Sequence, residues 1–184
     1  SSEGSTADNL FAKPYAGATG MRALQDHLHR TNKEGKVSTN FMPTWYRIDY
    51  TLTENPLISI IVPNHNHASD LRVLIDSIYS KSTYQNFEIL IMENNSSEQD
   101  IFDLYKELQS ADHRNRLIEW NHPFNYSMIN NDAVNFSQGD VLLFLNNDIE
   151  IITPDWLEQM LMFSLRPETG TVGAKLLYPN NTIQ

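Results

Sequence analysis

The sequence predicts an α/β fold: a mostly parallel central sheet with helices on both faces, a Rossmann-like sandwich. Three observations carry this. First, apolar runs alternate with helix-like segments from Asn55-Pro56 onward. Second, the runs 57–62, 87–92 and 141–145 are nearly continuous in apolar character. Strands covered on both faces read that way, whereas half-exposed strands alternate. Third, the segments between them carry apolar residues three and four apart, which is the stripe of an amphipathic helix.

Residues 1–55 read as an arm or connector, and 56–184 as the main domain. Residues 1–9 are small and polar and predict a loose start. Met21, Leu24 and Leu28 share a helical face, so a short helix is expected over 21–28. Residues 31–40 are polar and contain Gly35, and predict a loop. Residues 46–52 alternate as an edge strand does.

The main domain opens with a strand over 57–62 that ends at Pro63. Ser69 is placed to cap a helix whose inner face is Leu71, Leu74, Ile75 and Ile78. A second strand is expected over 87–92, then a helix with Ile101, Leu104, Tyr105 and Leu108 as its stripe. Residues 116–120 predict a shorter strand, and 127–136 a helix despite their asparagines. Residues 141–145 predict a fourth, buried strand. Thr153-Pro154 then starts a helix, with threonine as cap and proline in the first turn. Trp156 belongs to that helix as a core or interface anchor. A last strand is expected over 171–177.

Composition narrows the function. The chain has 184 residues and a formal net charge of −10. No basic face is visible, so a nucleic-acid partner is not expected. A phosphorylated ligand would need a cation or backbone amides to offset its charge. There is no cysteine, which excludes disulfides and thiolate zinc sites. No apolar run approaches the ~20 residues that cross a bilayer. The cytoplasm is the default location, a peripheral position at the inner face of the membrane included.

The strand ends carry the polar residues. In open α/β sheets, ligands bind outside the carboxyl ends of the strands. Those ends read Pro63-Asn64-His65-Asn66-His67, Glu93-Asn94-Asn95-Ser96 and Asn146-Asn147-Asp148. A further cluster is Asn125-Tyr126-Ser127-Met128-Ile129-Asn130-Asn131. The first loop has no glycine, and no Walker sequence occurs, so neither phosphate-loop type fits. Carboxylate and amide groups at Asn64, Glu93 and Asn94 suit the donors of a nucleobase or ribose. Asp148 suits a hard divalent ion, which needs only one or two protein carboxylates when it shares substrate phosphates. Each residue also has a structural reading, since Asn, Asp and Ser form turns and caps. His27-x-His29 and His65-x-His67 are poor metal pairs, but His65 or His67 can line the crevice.

Together these loops resemble one family. Ile60-Ile61-Val62-Pro63-Asn64-His65-Asn66 is similar to the IIVPTYN opening of family 2 glycosyltransferases, which have the GT-A fold. The segment from Glu88 to Ser96 resembles EIIIVDDGS. Asn131-Asp132-Ala133-Val134 with Gly139-Asp140 resembles N-x-G-I…A-x-G-D/E. Leu145-Asn146-Asn147-Asp148 resembles LDxD, the DxD motif, and Thr153-Pro154-Asp155-Trp156-Leu157 resembles TPGWL. The resemblance covers residues 56 to 184, and 12–47 look like the connector before such a domain in large bacterial enzymes.

The resemblance implies transfer of a sugar, with inversion, from a UDP- or dTDP-linked donor to a glycan or lipid-linked acceptor in cell-surface polysaccharide synthesis. It implies donor contacts at Pro63, Asn64, Glu93, Asn94, Ser96, Asn131 and Asn147. Asp148 would hold Mg²⁺ or Mn²⁺. The catalytic base is expected in a later segment, beyond Gln184, so the chain reads as a truncated donor half joined to other domains of one polypeptide. Three positions depart from the pattern: Glu93 and Asn94 replace two aspartates, and Asn146 replaces the first acid of DxD. A non-catalytic binding module is therefore the second reading. A nucleotidyltransferase would want a Gly-rich basic loop after the first strand, which is lacking.

Overall fold

The computed structural model describes residues 14–42 and 44–184. The expectation of a loose start over 1–9 lies outside them. The chain divides into two compact units. One gathers the described residues up to Thr53 with Glu158–Gln184, and the other is Glu54–Leu157.

In the first unit, helix α1 spans Pro14–Arg30, nine residues more than the apolar spacing predicts. The polar stretch expected to be a loop contains strand β1, Gly35–Thr39, paired antiparallel with β2, Tyr46–Tyr50. The side chain of Gln25 explains part of this. Its Nε2 donates to Gly35 O at 2.9 Å, and its Oε1 accepts from Val37 N at 3.0 Å. An amide on α1 thus occupies backbone groups of β1 as a neighbouring strand would. Leu28 and Val37 are buried. Arg166 lies over the ring of Tyr50, 4.6 Å from its centroid. The strand expected over 171–177 is not formed: a single bridge, Leu177 to Ile183, is its only pairing among the described residues.

The second unit contains a four-stranded parallel sheet of order β5-β4-β3-β6. The strands are β3 (Ile58–Asn64), β4 (Phe87–Glu93), β5 (Asn115–Glu119) and β6 (Val141–Phe144). Helices α2 (Ala68–Lys81), α3 (Gln99–Ala111) and α4 (Tyr126–Val134) connect them. Helix α5, Trp156–Ser164, follows a turn in which Trp156 N donates to Thr153 O. Strand β4 is buried throughout and β3 in all but Pro63, as their unbroken apolar runs predict. Strand β6 is not: its residues are half-buried and Phe144 is exposed. It lies at the end of the strand order and pairs only with β3 among the described residues, so one side lacks a neighbour.

Register assigns the faces. Ile61 is opposite Leu90, and these two with Met92 pack against Ile129 and Ala133 of α4. Asn64 is opposite Glu93, and both meet Tyr105 of α3 on the other face. Helices therefore cover both faces. Leu71, Leu74, Ile75 and Ile78 of α2 and Ile101, Leu104, Tyr105 and Leu108 of α3 are buried as the spacing predicts. Ser69 is not the cap of α2. His67 holds that position in a left-handed conformation, with no side-chain cap, and Ser69 lies inside the first turn.

Candidate functional site

The carboxyl ends of β3, β4 and β6 open into a crevice of about 580 Å³. Parallel pairing aligns these ends. Asn64 and Glu93 are in register, and Leu145 N extends the β6 ladder by donating to Ile61 O. The polar residues that follow each apolar run therefore arrive together. Pro63, Asn64, Asn94 and Asn147 line the crevice, joined by Asn95 and Asn146. His65 and His67 line it as well.

The side chains around it are tightly bonded to one another. Asn147 Nδ2 donates to Asn64 Oδ1 at 2.7 Å, tying the β6 end to the β3 end. Asn64 Nδ2 donates to Tyr105 Oη at 2.7 Å and to Asn66 O at 2.9 Å. Asn94 Nδ2 donates to the carbonyls of Trp120 and His122, at 3.1 and 2.8 Å. His65 Nδ1 is 2.7 Å from Asn94 O. A carbonyl only accepts, so His65 carries a proton on Nδ1.

Glu93 and Ser96 stand behind the crevice wall. The Glu93 carboxylate is buried and accepts from Ser96 N at 2.5 Å, from Ser96 Oγ at 2.7 Å, and from Tyr105 Oη. Burial, with the adjacent Glu93 carboxylate, pushes the Tyr105 phenol well above its ordinary range. It is a fixed neutral hydroxyl. Asn131 is exposed on α4 and does not line the crevice, whereas its neighbour Asn130 is buried. Asn125 is the cap of α4, accepting from Met128 N at 3.0 Å.

Asp148 is exposed in the turn after β6, directly after Asn147. No group of three or more His, Cys, Asp or Glu gathers among the described residues. The donors at hand are one carboxylate, from Asp148, and the amide oxygens of Asn146 and Asn147. This all-oxygen set fits a hard divalent ion that takes its remaining ligands from substrate phosphates and water.

Sequence reasoning missed three residues. Phe124 and Tyr126 line the crevice from the segment leading into α4. Their signal was position, one on each side of the capping Asn125. The helical spacing places Tyr105 in the α3 stripe, where it is buried. Its hydroxyl was the added clue, because a buried tyrosine needs a hydrogen-bond partner.

A doubly covered parallel sheet with a polar crevice at its carboxyl ends is the doubly wound α/β architecture, which GT-A folds share. The described chain superposes on a mannosyltransferase, PcManGT, from Pyrobaculum calidifontis, determined with GDP-Man and Mn²⁺. The TM-score is 0.62, with 17% identity over 91% of this chain and 46% of that one. The model of the glycosyl transferase family 2 matches residues 59–183. The chain belongs to that family. Among curated relatives, it is 41% identical to protein y4gI of Sinorhizobium fredii over 98% of its length. It is 42% identical over 90% of its length to the O-antigen biosynthesis protein RfbC of Myxococcus xanthus. The chain spans only 20% and 13% of those two proteins. No helix among the described residues is long and apolar enough to cross a membrane.

Proposed function

We propose that this chain is the donor-binding part of a glycosyltransferase that takes a sugar from a nucleoside diphosphate, UDP- or dTDP-linked, to a glycan or lipid-linked acceptor. The O-antigen role of the Myxococcus relative supports a place in cell-surface polysaccharide synthesis. The observation that carries the reading is the crevice itself. Asn64, Asn94 and Asn147 meet there at the aligned ends of three parallel strands, inside the stretch matched by the family.

In this reading Pro63, Asn64 and Asn94 contact the nucleoside, with Glu93 and Ser96 shaping that wall. Asn147 serves the sugar-diphosphate side; Asn131, exposed on α4 and outside the crevice lining, is given no contact. Asp148 would hold Mg²⁺ or Mn²⁺, which would supply positive charge to offset the charge of the departing diphosphate. The acceptor hydroxyl oxygen bonds to the anomeric carbon from the face opposite the breaking bond. The configuration is inverted, and the hydroxyl proton passes to a carboxylate base. No residue of this chain is assigned as that base.

Calorimetry with UDP and dTDP, with and without Mn²⁺, tests the proposal on this chain. Micromolar binding that needs the cation and disappears in Asp148→Ala is expected. Absence of nucleotide binding under both conditions would overturn it. The amide at Asn146 favours a second reading, a module that holds a nucleotide without catalysis. Cation-independent binding that survives Asp148→Ala would select it.

A further inference from the structure

Hydrogen-bond polarity can be traced through the crevice wall from backbone groups, whose roles are fixed. Asn66 N donates to Ser96 Oγ at 2.8 Å, so the Ser96 hydroxyl proton is directed to Glu93 Oε2. The Glu93 carboxylate also accepts from Ser96 N. It can only accept, so Tyr105 Oη must donate to it. The Tyr105 oxygen is then an acceptor toward Asn64, and Asn66 O is a second acceptor on the same amide nitrogen. Two acceptors hold the Asn64 amide in one orientation, with Oδ1 toward Asn147. Asn147 has to meet that oxygen with an N–H, as it does at 2.7 Å. Its own Oδ1 makes no hydrogen bond among the described residues.

We infer that Tyr105, from α3, is a positioning residue for Asn147: through Asn64 it commits the Asn147 N–H to the protein and leaves the Asn147 carbonyl oxygen for the ligand beside Asp148. The role given to that oxygen rests on the reading of the crevice as the donor site. There it is a second hard-oxygen donor toward the divalent cation, next in sequence to the only carboxylate of the Asn146-Asn147-Asp148 turn. Tyr105 touches neither Asn147 nor Asp148 in this relay. Its effect is transmitted by the direction of two amides. Outer partners of this kind commonly change metal affinity by ~10-fold or more when removed.

Three measurements on the 184-residue chain test this. In ¹⁵N-edited spectra, Tyr105→Phe should shift the side-chain NH₂ signals of Asn64 and of Asn147, although the lost hydroxyl contacts only the former. An unmoved Asn147 signal would overturn the relay. In urea unfolding, Asn147→Asp sets an acceptor against Asn64 Oδ1 while Asn64 is held in place. Tyr105→Phe removes one of the two acceptors holding it. The double variant should therefore have a folding constant roughly tenfold above the product of the single effects. Strict additivity counts against the inference. If Asn147→Asp does not fold, the spectra decide.

The ligand arm uses Mn²⁺ with UDP. Tyr105→Phe should weaken Mn²⁺ retention about tenfold, and unchanged retention would remove the cation role. Failure of the parent chain to bind Mn²⁺ with UDP would overturn the donor-site reading and the cation role together. The spectra and unfolding cycle would still decide the polarity relay.

Discussion

Arg116 and Glu88 form an ion pair at 2.6 Å on the α4 face of the sheet, and the Glu88 side chain is 7% exposed. Ser59 Oγ and Gln138 N also donate to that carboxylate, each at 2.6 Å. Burial alone would raise the pKa of Glu88, and it is the largest single influence. The three donors and the Arg116 charge outweigh it, so the group lies below its ordinary value. A carboxylate held low stabilises the fold above its unfolded-state pKa. That contribution is lost as pH falls through the folded value. Arg116→Met removes the charge and leaves the buried carboxylate with two donors. The acid-unfolding midpoint, followed by circular dichroism, should move to higher pH. Stability at pH 7 should fall by about 2–3 kcal/mol. An unmoved midpoint would show the pair to be energetically idle.

Gly139 closes the same corner. Its N donates to Ser59 Oγ at 2.9 Å. A Cβ placed on it would sit 2.5 Å from Leu57 O and 2.6 Å from Ser59 N. Both are backbone atoms of the β3 approach and have no rotamer with which to retreat. Gly139→Ala should cost about 1–3 kcal/mol in urea unfolding. Gly170→Ala, where no atom lies within 4 Å, is the control and should be near neutral.

Glu93 has only donors around it: Ser96 N, Ser96 Oγ and Tyr105 Oη. Glu93→Gln keeps the shape but turns one oxygen into an NH₂ that faces a donor. A loss of about 1–3 kcal/mol is expected, from a buried donor left without a partner. Tyr105→Phe added to Glu93→Gln should recover part of it. Thermal unfolding of the two variants tests both statements, and a neutral Glu93→Gln would refute the proton assignment.

The sequence exposed most of the frame, because unbroken apolar runs and helical stripes are direct consequences of burial. It identified β3, β4 and the inner faces of α2 and α3, and the crevice position of Asn64, Asn94 and Asn147. What it concealed was relational. Strand β1 is polar, and part of its backbone pairing comes from Gln25 on a helix. Residues 171–177 have the pattern of a strand but form only the bridge from Leu177 to Ile183. The helical stripe placed Tyr105 in the core, but its hydroxyl finds Asn64 and Glu93 only in three dimensions. The resemblance implies a donor contact at Asn131, yet Asn130 is the buried one, because the turn of α4 points that side inward.

Asn146 lines the crevice with an exposed amide, two residues before Asp148. Affinity for a hard cation rises with the number of charged oxygen ligands. A second carboxylate here would add a charged oxygen to the set that would hold Mn²⁺. Two unit charges near a protein surface interact by about 4 kcal/mol at 4 Å, and most of this is offset by desolvation and by repulsion from Asp148. A net tightening of roughly tenfold, about 1.4 kcal/mol, is the expected remainder. Asn146→Asp should therefore lower the Mn²⁺ concentration needed for UDP binding by that factor in calorimetry. Because the side chain is exposed, urea stability should stay within about 0.5 kcal/mol. The gain should vanish in the Asn146→Asp, Asp148→Ala double variant, since one carboxylate is then traded for another. If Asn146→Asp leaves the Mn²⁺ requirement unchanged, the turn after β6 is not where the cation sits, and the role of Asp148 falls with it.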